Sequence, residues 1–139
     1  MPVLNHVLET ALYVADRARS QAFYETVLGC RVLLDDGNRL TGMAVGDSKQ
    51  VLLLFTAGKS TEGEQTPTGF IPPHDGRGPV HLAFAIAAES LDKWTAHLGA
   101  HGVVVESTVY PERGGTSVYF RDPDNNLVEL ATPGIWPTY

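Results

Sequence analysis

Cysteine is nearly missing from this sequence: Cys30 is the only one, so no disulfide can close within the chain and no thiolate zinc cluster can be assembled from it. Just after the expected helix end at Leu28-Gly29, Cys30 reads as a small core residue rather than a nucleophile. Basic residues are scarce too, ten Lys and Arg against sixteen Asp and Glu, for a formal net charge of −6. No Lys/Arg cluster interrupts that balance, which argues against nucleic acid and anionic membrane surfaces as partners. Long apolar runs are absent. No run, Val51 to Phe55 or Leu82 to Ala88, is anywhere near long enough to cross a bilayer, and the opening MPVLNHVLE lacks the basic-then-apolar order of a secretory leader. The expectation is a cytoplasmic protein. What is present, 43% hydrophobic residues over 139 positions, suffices for the core of one domain.

Residues 7–14, VLETALYV, alternate: Leu8, Thr10, Leu12 and Val14 share one face, and Glu9, Ala11 and Tyr13 the other, which is strand periodicity. Asp16 then stands where a helix N-cap belongs. In the following RARSQAFYETVLG, an apolar stripe of Ala18, Ala22, Phe23 and Val27 predicts a helix ended by Gly29 at C′. CRVLLDD, RLTGMAVG and QVLLLFT read as three strands separated by the turn sequences Asp36-Gly37-Asn38 and Gly46-Asp47-Ser48. The order is βαβββ.

Beyond a Gly/Pro/Thr-rich stretch at 57–79 the same order returns. VHLAFAIA reads as strand, SLDKWTAHLGAHG as helix, and VVVEST, TSVYFRD and NLVELAT as strands. QVLLLFTAG at 50–58 lies over NLVELATPG at 126–134 without a gap, and residues 9–13 lie over 81–85. The chain is thus expected to be one α+β domain, 1–139, made of module one at about 5–57, a linker at 58–78 and module two at about 79–134.

The overlay makes Glu9 equivalent to His81 and Leu53 equivalent to Glu129, giving four related slots. Alternation sets their direction. Leu82, Phe84 and Ile86 are expected to pack on the helix, turning His81, Ala83 and Ala85 away, and Val128 and Leu130 likewise turn Glu129 away. Ligand-type residues opposite the helices in both modules predict a curved sheet with the helices on its outer face and a pocket inside. Glu9, His81 and Glu129 then share one concave face. Two carboxylates and an imidazole suit a divalent ion such as Mn, Fe, Ni or Zn.

ETALYVADRARSQAFYETVLG, GPVHLAFAI and SVYFRDPDNNLVELATPG resemble the signature segments of the glyoxalase/bleomycin-resistance/extradiol-dioxygenase, or vicinal-oxygen-chelate, superfamily, over nearly the whole chain. The resemblance implies paired βαβββ modules forming a half-barrel cleft, a metal chelating two neighbouring substrate oxygens, and a homodimer. In that superfamily the first slot is usually a His. Here it reads Glu9, with His6 three residues earlier as the alternative ligand if it lies before the strand proper, where alternation does not apply. Glyoxalase I-like members fill all four slots, whereas Leu53 cannot coordinate, which argues against lactoylglutathione lyase activity. Extradiol dioxygenases and fosfomycin-resistance transferases use the first, third and fourth slots, as here, but with two His and one Glu. Two carboxylates neutralise a dication more fully, so the ion is expected to be a weaker Lewis acid.

Around this set, Tyr119 and Arg121 share the parity of Ser117, opposite Val118 and Phe120, and are expected to face the pocket. Tyr119 is a candidate proton donor. Arg121 is a candidate anion clamp, its plainer role being to bond the turn at Asp122-Pro123-Asp124-Asn125-Asn126, where Asn125 is expected at positive φ. His74, in the loop before the second module, is a candidate acid/base or lid residue. Tyr13 and Phe55 share the pocket parity and, with the small Ala11, Ala83, Ala85 and Ala131, describe a cavity for a small-molecule substrate with an apolar or aromatic part. His97 and His101 have a ligand's spacing but no accompanying Glu, and read as a solvated helix face.

The functional expectation is a metal-dependent enzyme acting on a vicinal-oxygen substrate, as dioxygenase, lyase or isomerase. The alternative is a metal-free sequestering protein of the bleomycin-resistance type. A family member with a degenerate site and an interaction role has no positive feature in its favour.

Overall fold

The alternating segment at the start becomes strand β1 (Glu9–Val14) in the computed structural model, which describes residues 1–139. The strand begins two residues later than the expected 7–14, with Val7 and Leu8 exposed before it; its two buried residues, Leu12 and Val14 at 1% and 0% exposed, are both at even positions, while Thr10 on the same side is exposed. Helix α1 (Arg17–Thr26) follows, with the Asp16 side chain accepting from the Arg19 amide at 3.0 Å as an N-cap and Gly29 at φ 68° just past its end. Strands β2 (Arg31–Asp35), β3 (Leu40–Ala44) and β4 (Val51–Thr56) complete a four-stranded sheet in the order β1-β4-β3-β2. β1 and β4 run parallel and the other pairs antiparallel. Its core is Leu12, Val14, Tyr24, Met43, Leu52 and Leu54, each such side chain worth roughly 1.5–3 kcal/mol when removed from water.

The expected helix stripe is corrected in one respect. The face that α1 buries is Ser20, Tyr24 and Val27, while Ala18 and Ala22 are exposed. Positions 20, 24 and 27 also keep helical spacing, and a tyrosine removes far more apolar area from water than two alanines. Cys30 is buried against this core, and burial pushes its thiol up to about 11, as expected of a core residue rather than a nucleophile.

The stretch at 57–79 carries structure of its own, a hairpin of β5 (Glu64–Thr66) and β6 (Gly69–Ile71). Beyond it, β7 (His81–Ala85), a short 3₁₀ turn (Ala88–Ser90), α2 (Leu91–Ala100), β8 (Ser107–Val109), β9 (Ser117–Arg121) and β10 (Leu127–Ala131) repeat the order of the first half, with a sheet ordered β7-β10-β9-β8. Of the expected strand VVVEST only its end pairs. The Val103 amide instead donates to Leu98 O at 2.9 Å, closing the C-terminus of α2 beyond Gly102 at φ 69°, and the ladder begins only where Glu106 N meets Tyr119 O.

The chain divides into two compact units, Met1–Arg77 and Gly78–Tyr139. The registers of the two sheets reproduce the sequence overlay: Glu9 pairs with Val51 as His81 pairs with Leu127, and Ala11 pairs with Leu53 as Ala83 pairs with Glu129. The fold is α+β, with two helices and mixed sheets. No helix is long and apolar enough to cross a membrane.

Candidate functional site

In the second unit His81 opens β7 beside β10, so its ring lies next to the strand that carries Glu129. Leu127 O lies 3.0 Å from His81 Nδ1. A carbonyl oxygen only accepts, so Nδ1 carries the proton of that bond. Nε2, the other ring nitrogen, is 3.2 Å from Glu129 Oε2. Glu129 itself is buried, 6% exposed, and the imidazole is its one polar partner. With Nδ1 protonated, a neutral ring presents a lone pair to a carboxylate. That contact is favourable only with a cationic ring or with a cation shared by both atoms.

The donor set fits a metal. One nitrogen and one oxygen about 3 Å apart have the separation of adjacent ligands on an ion with bonds of roughly 2.0–2.2 Å. A ring nitrogen held by a backbone carbonyl is the usual support of a coordinating imidazole. Tyr119 is cross-strand from Glu129, and its ring centroid lies 6.1 Å from that of His81. Arg121 is committed elsewhere: its Nε and one terminal nitrogen donate to the two Glu106 carboxylate oxygens at 2.9 and 3.2 Å, and the other donates to Asn125 O at 3.2 Å. Both Arg121 and Tyr119 border a shallow cavity of about 270 Å³ with Glu106, Ser107, Val109 and Leu127. Asn125 has the expected positive φ, 65°.

In the first unit the odd positions of β1 and β4 line a pocket of about 570 Å³: Glu9, Ala11, Tyr13, Leu53 and Phe55, with His74 and Arg39 at its border. Alternation accounts for the strand residues, because Leu52 and Leu54 take the buried face. Tyr13 and Phe55 stack at 5.7 Å, and the His74 ring meets Phe55 edge-on at 4.6 Å. The Tyr13 hydroxyl and His74 Nδ1 share a hydrogen bond of 2.7 Å, and Ser60 O accepts from the His74 amide at 3.0 Å. Burial, and then the charge of Asp75, raise the Tyr13 phenol above its ordinary value, so it keeps its proton at neutral pH.

Glu9 is therefore placed in the pocket of the first unit, and His81 with Glu129 in the second. No three His, Cys, Asp or Glu side chains of the chain are grouped as a metal-holding set. His6 lies before β1 and is exposed. His97 on α2 and His101 at its C-cap lie together, His101 Nδ1 donating to His97 O at 2.9 Å, and the His97 ring also meets Trp94 edge-on. Alternation did not find Arg39, which precedes β3 and reaches the pocket from its edge, nor Glu64 and Ser60, which hold it. The loop that supplies them has no periodicity to read.

A family model described as Glyoxalase/Bleomycin resistance protein/Dioxygenase superfamily matches residues 3–130. A metallothiol transferase, FosB, from Lysinibacillus sphaericus is 30% identical over 131 residues, 93% of this chain and 81% of the relative. The crystal structure of lactoylglutathione lyase from Agrobacterium tumefaciens superposes with a TM-score of 0.86 at 30% identity, covering 96% of this chain and 98% of that one. A fosfomycin resistance protein, FosX, from Listeria monocytogenes, crystallised with Mn(II) and a dihydroxypropylphosphonic acid, shares the fold at a TM-score of 0.67 and 23% identity, over 93% and 90% of the two chains.

Proposed function

Since the chain belongs to the Glyoxalase/Bleomycin resistance protein/Dioxygenase superfamily, we propose that it is a metal-dependent enzyme acting on a small molecule with two neighbouring oxygens. The observation that carries this reading is the His81–Glu129 pair, in which a ring with Nδ1 committed to Leu127 O turns Nε2 toward a buried carboxylate 3.2 Å away. A divalent ion held by these two residues, with Glu9 as third ligand from the first unit of this chain or of a second copy in a homodimer, would polarise the substrate oxygens. Mn, Fe, Ni and Zn all suit such a donor set. His6, free of the strand, is the substitute for Glu9. Leu53, apolar in the slot equivalent to Glu129, leaves coordination positions open to substrate. The names of the relatives at 30% identity, a metallothiol transferase and a lactoylglutathione lyase, favour transferase or lyase chemistry over dioxygenase chemistry.

The chain's own groups divide the remaining work. Tyr119, cross-strand from Glu129 and with its ring 6.1 Å from that of His81, would donate a proton to an oxygen bound there. Tyr13 and His74, joined by their hydrogen bond, form a proton-carrying pair, the phenol holding its proton and the imidazole able to pass one on. Phe55 and Tyr13 supply the stacked apolar wall that orients the substrate and excludes water. Arg121, already matched by Glu106, keeps the wall of the second unit in place, its charge satisfied before any substrate arrives.

The test is elemental analysis of protein purified without chelator, comparing wild type with His81→Ala and Glu129→Ala. Stoichiometric metal that both substitutions abolish is the expected result, after which transferase, lyase and isomerase turnover are screened. Wild-type protein that takes up no Mn, Fe, Ni or Zn on reconstitution would overturn the enzyme reading and favour the sequestering one, for which the pocket of the first unit suffices.

A further inference from the structure

The pocket of the first unit has one permanent cation on its border, Arg39, in a chain of net charge −6. Its side chain is only 12% exposed, and its guanidinium carbon lies 5.3 Å from the centroid of the Phe55 ring. One terminal nitrogen donates to Ser60 Oγ at 3.0 Å and the other to the Glu64 carboxylate. A guanidinium has five N–H donors, so three of them meet no protein acceptor here.

Glu64 is the less settled partner. Its side chain is 41% exposed, and it opens β5, one strand of a three-residue hairpin whose other strand, β6, is exposed along its length. Two-stranded hairpins of this size are marginal by themselves, and a partly exposed ion pair is weakly held against a competing anion. The carboxylate of Glu64 already demonstrates which group the rim of this pocket accommodates. Most of the remaining lining is apolar or aromatic, led by the stacked rings of Tyr13 and Phe55, with His74 edge-on to Phe55. Glu9 stands four residues along β1 from Tyr13, roughly 13 Å away at about 3.3 Å per residue, so the acidic end and the Arg39 end of the pocket are apart.

We propose that Arg39 is the specificity residue of this pocket, selecting a ligand with an aromatic or planar apolar body and a carboxylate. The ligand's carboxylate takes the place of Glu64 on the guanidinium, and its body lies on Phe55 and Tyr13. Glu64 thereby acts as an internal competitor: it keeps Arg39 neutralised in the empty pocket and sets the affinity that an incoming carboxylate must exceed. The inference rests on the reading of this pocket as a substrate site and is independent of the metal.

Binding of phenylacetate and of its uncharged counterpart phenylethanol, measured by ligand-observed NMR titration on wild type, Arg39→Gln and Glu64→Gln, tests it. Phenylacetate is expected to bind wild type, to bind Arg39→Gln about ten-fold more weakly or worse, and to bind Glu64→Gln several-fold more tightly. Phenylethanol affinity is expected to stay the same in all three. Equal preference for the two probes, no binding of phenylacetate to wild type, or Glu64→Gln weakening phenylacetate would each overturn the proposal. If Arg39→Gln does not fold, the sign of the Glu64→Gln change decides alone. Metal content of the same preparations is read separately, so loss of the carboxylate site and loss of the metal reading are told apart.

Discussion

The two units share a sheet order and a register, yet they use equivalent positions for different ends. In the first, the inner position of the last strand is Leu53, beside Ala11 and Gly42. In the second it is Glu129, beside Ala83 and Tyr119, with His81 turned toward it. Of the two cavities described, the one in the first unit, walled by Tyr13, Phe55 and His74, is the larger, and the second unit has the closer pair of ligand-type groups. Strand pairing constrains the backbone, and only the parity of each residue passes from one copy to the other. Side chains on the buried face are held to apolar types by the core, while those on the opposite face are free to diverge.

The largest expected effect concerns what the units have in common. Tyr24→Ala in the first and Phe120→Ala in the second each delete an aromatic ring that is 0% exposed, for an expected loss of about 3–5 kcal/mol apiece. Urea unfolding measures both. A much smaller loss in either unit would show that the copies do not rest on equivalent cores.

A sharper change converts one unit toward the other. Leu53→Glu gives the first unit the carboxylate of the second without the imidazole that faces it. It places a half-buried charge beside Ala11 and Gly42, in the same pocket as Glu9. We expect a loss on the order of 1–3 kcal/mol, partly restored by added Mn or Ni. Melting curves with and without metal check this, and a variant as stable as wild type in the absence of metal would erase the distinction drawn between the slots.

The smallest effects lie at the extremes of pH. Asp75 in the first unit is held below the usual carboxylate range, first by the Gly58 and Gly76 amides, and Glu106 in the second, first by its hydrogen bond with Arg121. Each contributes stability above its unfolded value that is lost as pH falls through the lower folded one. Asp75→Asn and Glu106→Gln are therefore expected to flatten the acid limb of stability against pH, and only the second is expected to respond strongly to salt. Cys30 acts at the other end. Its thiol is raised from 9.0 to about 11, so its contribution is intact below pH 9 and disappears as pH rises through 11. A thiol reagent at pH 8 is expected to leave Cys30 unlabelled in the native protein and to label it on unfolding.

Much of this was legible beforehand because it depends on period and repetition. The first strand, read at 7–14 and formed at 9–14, the Asp16 cap, Gly29 beyond α1, and the pocket-facing parity of Glu9, Tyr13, Leu53 and Phe55 all follow from alternation or from local capping chemistry. The buried face of α1 was misplaced because Ser20 carries no hydrophobic signal, and only packing against the sheet selects the Ser20–Tyr24–Val27 face. The strand at 103–108 was overextended because the Val103 amide had a helix carbonyl to satisfy, a competition that composition does not reveal.

By itself the sequence determined the duplicated order of elements, the overlay of Glu9 on His81 and of Leu53 on Glu129, and the side of the sheet to which the strand residues around these slots turn. Those follow from nearest-neighbour geometry, which repeats every two residues in a strand and every 3.6 in a helix. Only the tertiary structure decided that Leu127 O holds the His81 ring so that Nε2 meets Glu129, that His74 returns from 61 residues away to bond Tyr13, and that Arg39 lies over Phe55 under the hold of Glu64. These contacts join residues distant along the chain through loops without periodicity, and they exist only once the strands have paired and brought them together.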